Sequence, residues 1–502
     1  MSTLQGKRIL ILQQRVWGTR IGHFLGKKLQ AEGARLAAIT FKPTVHEFTL
    51  KQKEVSYELV LNDDAALAGP KEYLGGADYT LEEICSALGI DSVWPLAHTM
   101  RHHVRSYGEE FYYGWRQNVS DEEIVLYIKS VYHYLRRMFD EFQPEIVLSP
   151  SYVALPHIMC SLFAKRRGAK MIVASDCKVR GISIFVNDYL ESTGEFYDRV
   201  VALNDQGADS PNREKARQYI AGQRQSLQQP LYSDKFNPHL SLWRRIRAEL
   251  APYRAIVRFL RNPKDNYISS LGITYDWRPP RIILRDHFAK KRYKKAALRF
   301  PYTPLSALGK FVLFPLQFQP ESTIDVVAPY FSNQLEVARL VAMALPDDYT
   351  LAVRDHPVMF GFRSDSFLNK LQHTPNVKVI DFRLPMAEVI KAMSAMVSIS
   401  STAVAEAAFY GKPAIQLGSL GTTKLLPNVT VHHDFTTLSA VIKKSLAASL
   451  HTAEYERHLE NYVAAAYDTG FGFDYVSAWE RGKGNLEELW PVYKKELVRI
   501  FS

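Results

Sequence analysis

Three short runs in the second half of the chain carry the residue types that chemistry needs. Ile399-Ser400-Ser401-Thr402-Ala403 through Gly411-Lys412-Pro413 reads as the end of a buried strand, a turn of three hydroxyls and a helix closed by Gly411. Hydroxyls beside the open N–H groups of a helix start attract anions, which makes Ser400, Ser401 and Thr402 candidates for the phosphates of a nucleotide. The same residues also serve as ordinary N-caps. With Thr402 as N-cap, a reciprocal capping acid would stand at Ala405, so Glu406 is off that position and becomes a candidate for a ribose or sugar hydroxyl.

Leu351-Ala352-Val353-Arg354 is an apolar strand that delivers Asp355 and His356 to its carboxyl end, where open parallel sheets bind ligands. Pro357 biases His356 toward extended backbone and fixes its aim. From there His356 donates a hydrogen bond to a donor phosphate and stabilises the departing nucleotide, while Asp355 joins the nucleotide site. The third run, Phe314 to Asp325, places Gln319 and Glu321 in a proline-constrained loop, Gln319 for the nucleotide and Glu321 for acid-base work. In the first half, the Gly18–Gly22 loop ending at His23, and Asp176 after the strand Lys170–Ala174, supply two candidates for activating an acceptor hydroxyl. A solvated turn accounts for the residues of the Phe314–Asp325 loop equally well, and neither the His23 nor the Asp176 spacing is diagnostic. His98, His102 and His103 lack carboxylate or thiolate partners and read as structural; no metal and no cofactor is called for.

The elements that must hold these residues alternate. Strand Lys7–Gln13, a helix over 21–33 and strand Leu36–Phe41 form a βαβ unit, with Gly22-His23 at the helix start presenting outward N–H groups. Strand Ile146–Ser149, a helix through Ala164 and strand Lys170–Ala174 extend that sheet, while residues 45–118 give no regular signal. A second series begins at Val312–Pro315 and runs through strands Thr350–Arg354, Val377–Ile380, Val397–Ile399 and Ala414–Leu417, each separated by a helix. The expected division is an acceptor-side Rossmann-like lobe over 1–210, a basic helical connector over 211–308, a donor-nucleotide lobe over 309–480 and a final helix over 481–502 that packs back on the first lobe.

Length and composition agree with this picture: 502 residues exceed one ordinary core, and 23% charged residues exclude a disordered or fibrous chain. Cys85, Cys160 and Cys177 form neither a disulfide framework nor a zinc pattern, which implies a reducing compartment. The polar start is wrong for a signal peptide, and no apolar run reaches about 18 residues, so a cytoplasmic location is expected. From Trp243 to Arg299 sixteen Lys and Arg face four Asp and Glu, an excess of twelve against a net charge of +11 for the whole chain. A patch so concentrated calls for an anionic partner, and the expected one is the inner face of the cytoplasmic membrane.

In order and spacing, Phe314-Pro315-Leu316-Gln317-Phe318-Gln319-Pro320-Glu321, Arg354-Asp355-His356-Pro357 and Ser400-Ser401-Thr402 through Gly411-Lys412-Pro413 resemble the bacterial capsule and surface-polysaccharide glycosyltransferases of GT-B fold, which include Kdo transferases and sialyl- and polysialyltransferases. The resemblance implies an α/β fold of two Rossmann-like lobes facing a cleft, and a CMP-binding role for His356, Ser401 and Thr402. It implies transfer of a sugar such as Kdo or a sialic acid from a CMP-linked donor to a surface polysaccharide or glycolipid. The acidic motif that supplies the base in sialyltransferases is missing from the first lobe. Glycerophosphate transferases with a CDP-linked donor and nucleotide-sugar epimerases of the same fold are the alternatives. A nucleic-acid or membrane scaffold is disfavoured, because a scaffold has no use for three ligand-type loops on one sheet edge.

Overall fold

The structure, a computed structural model, describes residues 4–100, 120–227, 242–261, 280–319, 321–475, 477–478, 482 and 484–502. The described chain divides into two compact units, one drawn from Met1–Met100, Val119–Ala202 and Ala465–Ser502, the other from Leu203–Ala464. Each is built on one six-stranded sheet.

In the first unit the strands are β1 (Arg8–Gln14), β2 (Arg35–Phe41), β3 (Leu59–Asn62), β4 (Ile146–Ser149), β5 (Lys170–Asp176) and β6 (Ser183–Val186). They lie in the order β3-β2-β1-β4-β5-β6. All neighbours pair in parallel except β5 and β6, which are antiparallel. Ile9 to Leu12 of β1 are buried in succession rather than alternately, as a strand covered on both faces requires. The last helix, Leu489–Phe501, sets Leu489, Tyr493 and Leu497 at helical spacing into the core of this unit, with Leu4, Ile9 and Leu25. Residues 45–100, silent in the sequence, hold β3 and a series of helices of five to nine residues, among them Leu81–Leu88 and Trp94–His98, each too short for a full hydrophobic period to show. Of the three histidines read as structural, His98 ends one of these helices, while His102 and His103 lie outside the described residues.

One expectation for this unit fails. Beyond β1 the backbone is helical at once, through Arg15–Trp17, a π turn Gly18–Gly22 and helix His23–Ala31, so Gly22-His23 is inside a helix and not at its start. The N–H of His23 is taken by the carbonyls of Gly18 and Arg20, which leaves nothing for a phosphate. Gly22 is there for packing: a Cβ on it would lie 2.3 Å from Gln13 Oε1 and 2.8 Å from the Trp17 ring.

The second unit contains β7 (Phe311–Pro315), β8 (Thr350–Arg354), β9 (Val377–Ile380), β10 (Ala395–Ser398), β11 (Ala414–Gln416) and β12 (Val429–Val431), in the order β12-β11-β10-β7-β8-β9 and parallel throughout. Val312, Phe314, Leu351, Val353, Val397 and Ile399 of these strands and their ends pack with Val337, Val341 and Phe367 of the flanking helices. The basic segment of residues 243–299 contributes two helices to this unit, Leu242–Arg261 and Pro280–Arg299. Its residues 262–279 lie outside the described residues. Both sheets thus have the doubly wound order in which the chain starts centrally, moves outward on one side and then returns to the other. The α/β class with two Rossmann-like sheets is as the sequence called for.

Candidate functional site

A doubly wound sheet opens at its carboxyl edge where the strand order reverses. In the second unit that point lies between β7 and β10, with β8 beside β7. The three runs singled out in the sequence follow these three strands.

After β10 the turn is tied to itself. Ser398 Oγ accepts the Ser401 N–H at 3.2 Å, and Ser401 Oγ accepts the Ala403 N–H at 3.1 Å at the start of helix Ala403–Phe409. The capping hydroxyl is therefore that of Ser401. Thr402, expected as the N-cap, has helical backbone angles and no side-chain cap bond, because the turn is already closed one residue earlier. Ser400 Oγ is buried without a hydrogen-bond partner. Gly418 packs over it, donating its N–H to Ile399 O at 2.7 Å; a Cβ there would fall 2.1 Å from Ser400 Oγ and 2.8 Å from both Ile399 O and Ala328 Cβ. Gly418→Ala should therefore lower stability by about 1–3 kcal/mol and shift the turn, because backbone cannot swing aside as a side-chain tip does. Urea denaturation checks this, and a variant as stable as the parent would refute the close fit.

After β8, His356 is extended (φ −74°, ψ 127°), as its place before proline requires. Its Nδ1 accepts the Val358 N–H at 3.1 Å, so the proton of the neutral ring sits on Nε2. Burial, with the charges of Arg363 and Arg354 adding, pushes its pKa down to about 4. At neutral pH His356 is thus an uncharged hydrogen-bond donor with a fixed tautomer.

Asp355 has a different job from the one expected. Its Oδ1 accepts the His356 N–H at 2.8 Å and Arg363 Nε at 2.6 Å, and both side chains of that ion pair are buried. The carboxylate orients the histidine backbone and is already committed within the protein. Arg363 also donates to Gln317 O at 2.8 Å, which ties the loop after β8 to the loop after β7.

Gln319 is likewise internal. Its Nε2 donates to Asp325 Oδ1 at 2.9 Å and Ser332 O at 3.2 Å, and its Oε1 accepts Gln334 Nε2 at 3.1 Å. A buried amide so engaged holds the loop and has no capacity left for a nucleotide. Glu321 is exposed, with Thr323 Oγ1 donating to its Oε2 at 2.9 Å and its own N–H donating to Asp325 Oδ2 at 3.1 Å.

Glu406 is half-buried on the helix after β10. Burial raises its carboxyl from 4.5 to about 7, against the pull of Arg354 at the end of β8. A carboxyl raised in the fold is comfortable while protonated in both states, below about 4.5, and progressively destabilising as pH rises through about 7. Glu406→Gln should therefore match the parent near pH 5 and exceed it by about 1–2 kcal/mol near pH 8, a full shift discounted for partial exposure. Melting temperatures at the two pH values test this, and a gap that does not widen with pH would contradict it.

Arg354, the last residue of β8, also faces this edge. It is buried, its Nη2 donates to Phe382 O at 2.9 Å and Leu384 O at 2.8 Å, and its Nε has no partner. Gln317 Oε1 after β7 and Thr422 Oγ1 after β11 are also buried and unpartnered. With Ser400 Oγ, four of the five such atoms among the described residues of this unit stand at the carboxyl edge of its sheet; the fifth, Asn428 Oδ1, precedes β12. Buried polar groups without partners are expensive, and their concentration on one edge marks a place built to meet a polar ligand.

The first unit repeats the arrangement at its own reversal point, between β1 and β4, where Gln13 Oε1, Gln14 Oε1 and Ser151 Oγ are buried without partners. The two candidates read from sequence are not brought together there. His23 Nε2 faces Glu54 Oε2 at 2.8 Å with its ring edge-on to Phe48, and Asp176, the exposed last residue of β5, has Lys178 Nζ at 3.1 Å. The sequence missed Asp63, directly after β3. Tyr127 and Tyr134 both donate to its Oδ1, at 3.0 and 2.9 Å. Burial first, then the neighbouring Asp64, raises it to about 7, the range of a general base at neutral pH. Its only signal was Asn62-Asp63-Asp64 at the end of a four-residue strand. Among the described residues no three His, Cys, Asp or Glu side chains are grouped to hold a metal.

Residues 287–420 match the family model described as "Capsule polysaccharide biosynthesis protein". No curated protein matches the chain. Among solved structures, the Thermosulfurimonas dismutans KpsC beta Kdo 2,7 transferase is similar at 12% identity and TM-score 0.35, covering 76% of this chain and 91% of that one. The calicheamicin glycosyltransferase CalG4 is similar at 12% identity and TM-score 0.27, over 94% and 98%. The UDP-GlcNAc 2-epimerase of Methanocaldococcus jannaschii is similar at 12% identity and TM-score 0.24, over 92% and 98%. Likenesses this loose carry no argument about activity. The family match is to that segment alone: residues 287–420, which hold Gln319, Glu321, Asp355, His356, the Ser400–Thr402 turn and Glu406, are similar to the capsule polysaccharide biosynthesis family.

Proposed function

We propose that the chain is a glycosyltransferase of capsule polysaccharide synthesis that moves a sugar from a CMP-linked donor, of the Kdo or sialic acid kind, to a surface glycan or glycolipid. The observation that carries the reading is the neutral His356, its proton held on Nε2, on the same sheet edge as the hydroxyl turn Ser400–Thr402 and its helix start. As the glycosidic bond to the donor breaks, negative charge develops on the leaving phosphate. A neutral Nε2–H and helix-terminal dipoles meet that charge without reorganising, which is where electrostatic catalysis gains most. Glu406 holds a ribose or sugar hydroxyl, and Arg354 keeps the local field positive. Acceptor activation falls to the first unit, where Asp63 joins His23 and Asp176 as a candidate base. No metal enters this scheme.

The family description supports the capsule setting. No helix among the described residues is long and apolar enough to cross a membrane, and the proposed route to a lipid-borne acceptor is docking of the basic segment 243–299 on the anionic inner face of the cytoplasmic membrane. Thermal-shift measurements against CMP, CDP, UDP and GDP test the donor. Selective stabilisation by CMP is expected. Selective stabilisation by CDP would replace the donor with a glycerophosphate-type one, and indifference to all four would remove the reading.

A further inference from the structure

Helix Leu242–Arg261 carries an apolar stripe that stands exposed among the described residues. Trp243, Ile246, Leu250, Tyr253, Val257 and Leu260 follow one another at alternating spacings of three and four, so they share one face, and each is at least 41% exposed, Trp243 reaching 80%. Six large apolar side chains in line on about 30 Å of helix are not the scattered surface residues that any protein shows.

Arg247, Arg254, Arg258 and Arg261 run along one flank of this stripe. Leu250, Tyr253 and Val257 line an open groove together with the last three of these arginines. The one acidic residue of the helix, Glu249, is turned to the neighbouring helix Pro280–Arg299, where it meets Lys291 at 2.5 Å and His287 at 3.7 Å. The face that holds the stripe is therefore purely apolar and cationic.

We propose that this helix is an interfacial membrane anchor: the stripe inserts among acyl chains while its arginines bind the phosphates of anionic lipids. Charge decides against the other occupant that such spacing permits. A second copy of the helix laid along the same seam would bring two rows of arginine together with no carboxylate on either outer face. A bilayer surface supplies phosphate to the arginines, hydrocarbon to the aliphatic side chains and a headgroup layer suited to Trp and Tyr. The proposal deepens the charge-based docking stated above and rests on it for its setting. It adds that attachment is hydrophobic as well as electrostatic.

The full-length protein is sedimented with phosphatidylcholine vesicles containing about 30% phosphatidylglycerol, in about 0.1 M and about 1 M salt. Insertion predicts retention at high salt, at least tenfold weaker partition for the double variant Leu250→Asp, Val257→Asp, and a blue shift of emission, quenched by brominated acyl chains, that Trp243→Phe removes. Since all three residues are exposed, the variants should fold, and an unchanged melting temperature confirms it. Binding that is lost in high salt and indifferent to Leu250→Asp, Val257→Asp overturns insertion and leaves electrostatic docking standing. No binding to anionic vesicles overturns both. A concentration-dependent dimer in analytical ultracentrifugation that the same double variant dissociates assigns the stripe to a second copy and overturns the proposal. None of these outcomes touches the nucleotide panel, so the glycosyltransferase reading stands or falls separately.

Discussion

His356→Ala is expected to lower kcat/KM by about a hundred- to a thousandfold, the usual effect of removing one preorganised donor from a developing anion. The loss should fall mostly on kcat, because the Nε2–H meets more charge in the transition state than in the bound donor. His356→Gln retains an N–H of similar reach and should recover part of the rate, although it cannot reproduce the Nδ1 bond that fixes the ring on Val358. The pH dependence separates this role from that of a proton-transferring histidine. With its pKa pushed down to about 4, His356 is neutral across the working range and should produce no step in kcat near pH 6.5. The sign for stability follows: a depressed histidine contributes fully above about 6.5 and less as pH falls toward 4, since protonation then favours the unfolded chain. Steady-state kinetics with a CMP-linked donor over pH 5–8 provide the test. An unchanged kcat in His356→Ala would end the proposed role.

What could be read from sequence, and what could not, divides along physical lines. Strands β7 to β11 were legible because each is a short, mainly apolar run between a helix end and a polar loop, and Thr350–Arg354 and Val377–Ile380 fall where the pattern placed them; β12, three residues with a central Thr, was not read. The carboxyl-edge position of His356 and Ser400 followed from strand order alone. Individual polar contacts did not follow. Asp355, Gln319 and Glu321 looked alike as acids or amides in loops, and only packing distinguishes a carboxylate locked on Arg363, an amide caged by Asp325 and Gln334, and an exposed glutamate. The Gly18–Gly22 segment misled because glycine beside a strand suits both a phosphate loop and a close helix–strand contact, and the distance to Gln13 selects the second. Asp63 was hidden because its partners, Tyr127 and Tyr134, come from a helix more than sixty residues away in sequence.

Arg363→Ala should be the most destabilising single change near the site, at about 3–5 kcal/mol, because it leaves the Asp355 carboxylate buried without its cation. Burial already presses the Asp355 pKa upward, and Arg363 is the strongest influence holding it down. Without that charge the carboxyl takes up a proton, and the variant should lose stability most steeply as pH rises above neutrality, where keeping it ionised is hardest. The guanidinium also bridges to Gln317 O, so the variant unties the loops after β7 and β8 and weakens nucleotide binding even in molecules that remain folded. A purely Coulombic account and a loop-tying account make different demands on a second substitution. Combining Arg363→Met with Asp355→Asn removes both buried charges while keeping volume and an amide acceptor for the His356 N–H. Stability should then recover well above Arg363→Ala, whereas nucleotide affinity should not, since Gln317 O keeps its bond from Gln334 Nε2 but loses the one from the loop after β8. Urea midpoints and CMP thermal shifts on the parent, Arg363→Ala and the double variant measure the two quantities independently. A double variant no more stable than Arg363→Ala would show that the ion pair is not what holds these loops, and one that binds CMP like the parent would show that the bridge to Gln317 does not shape the site.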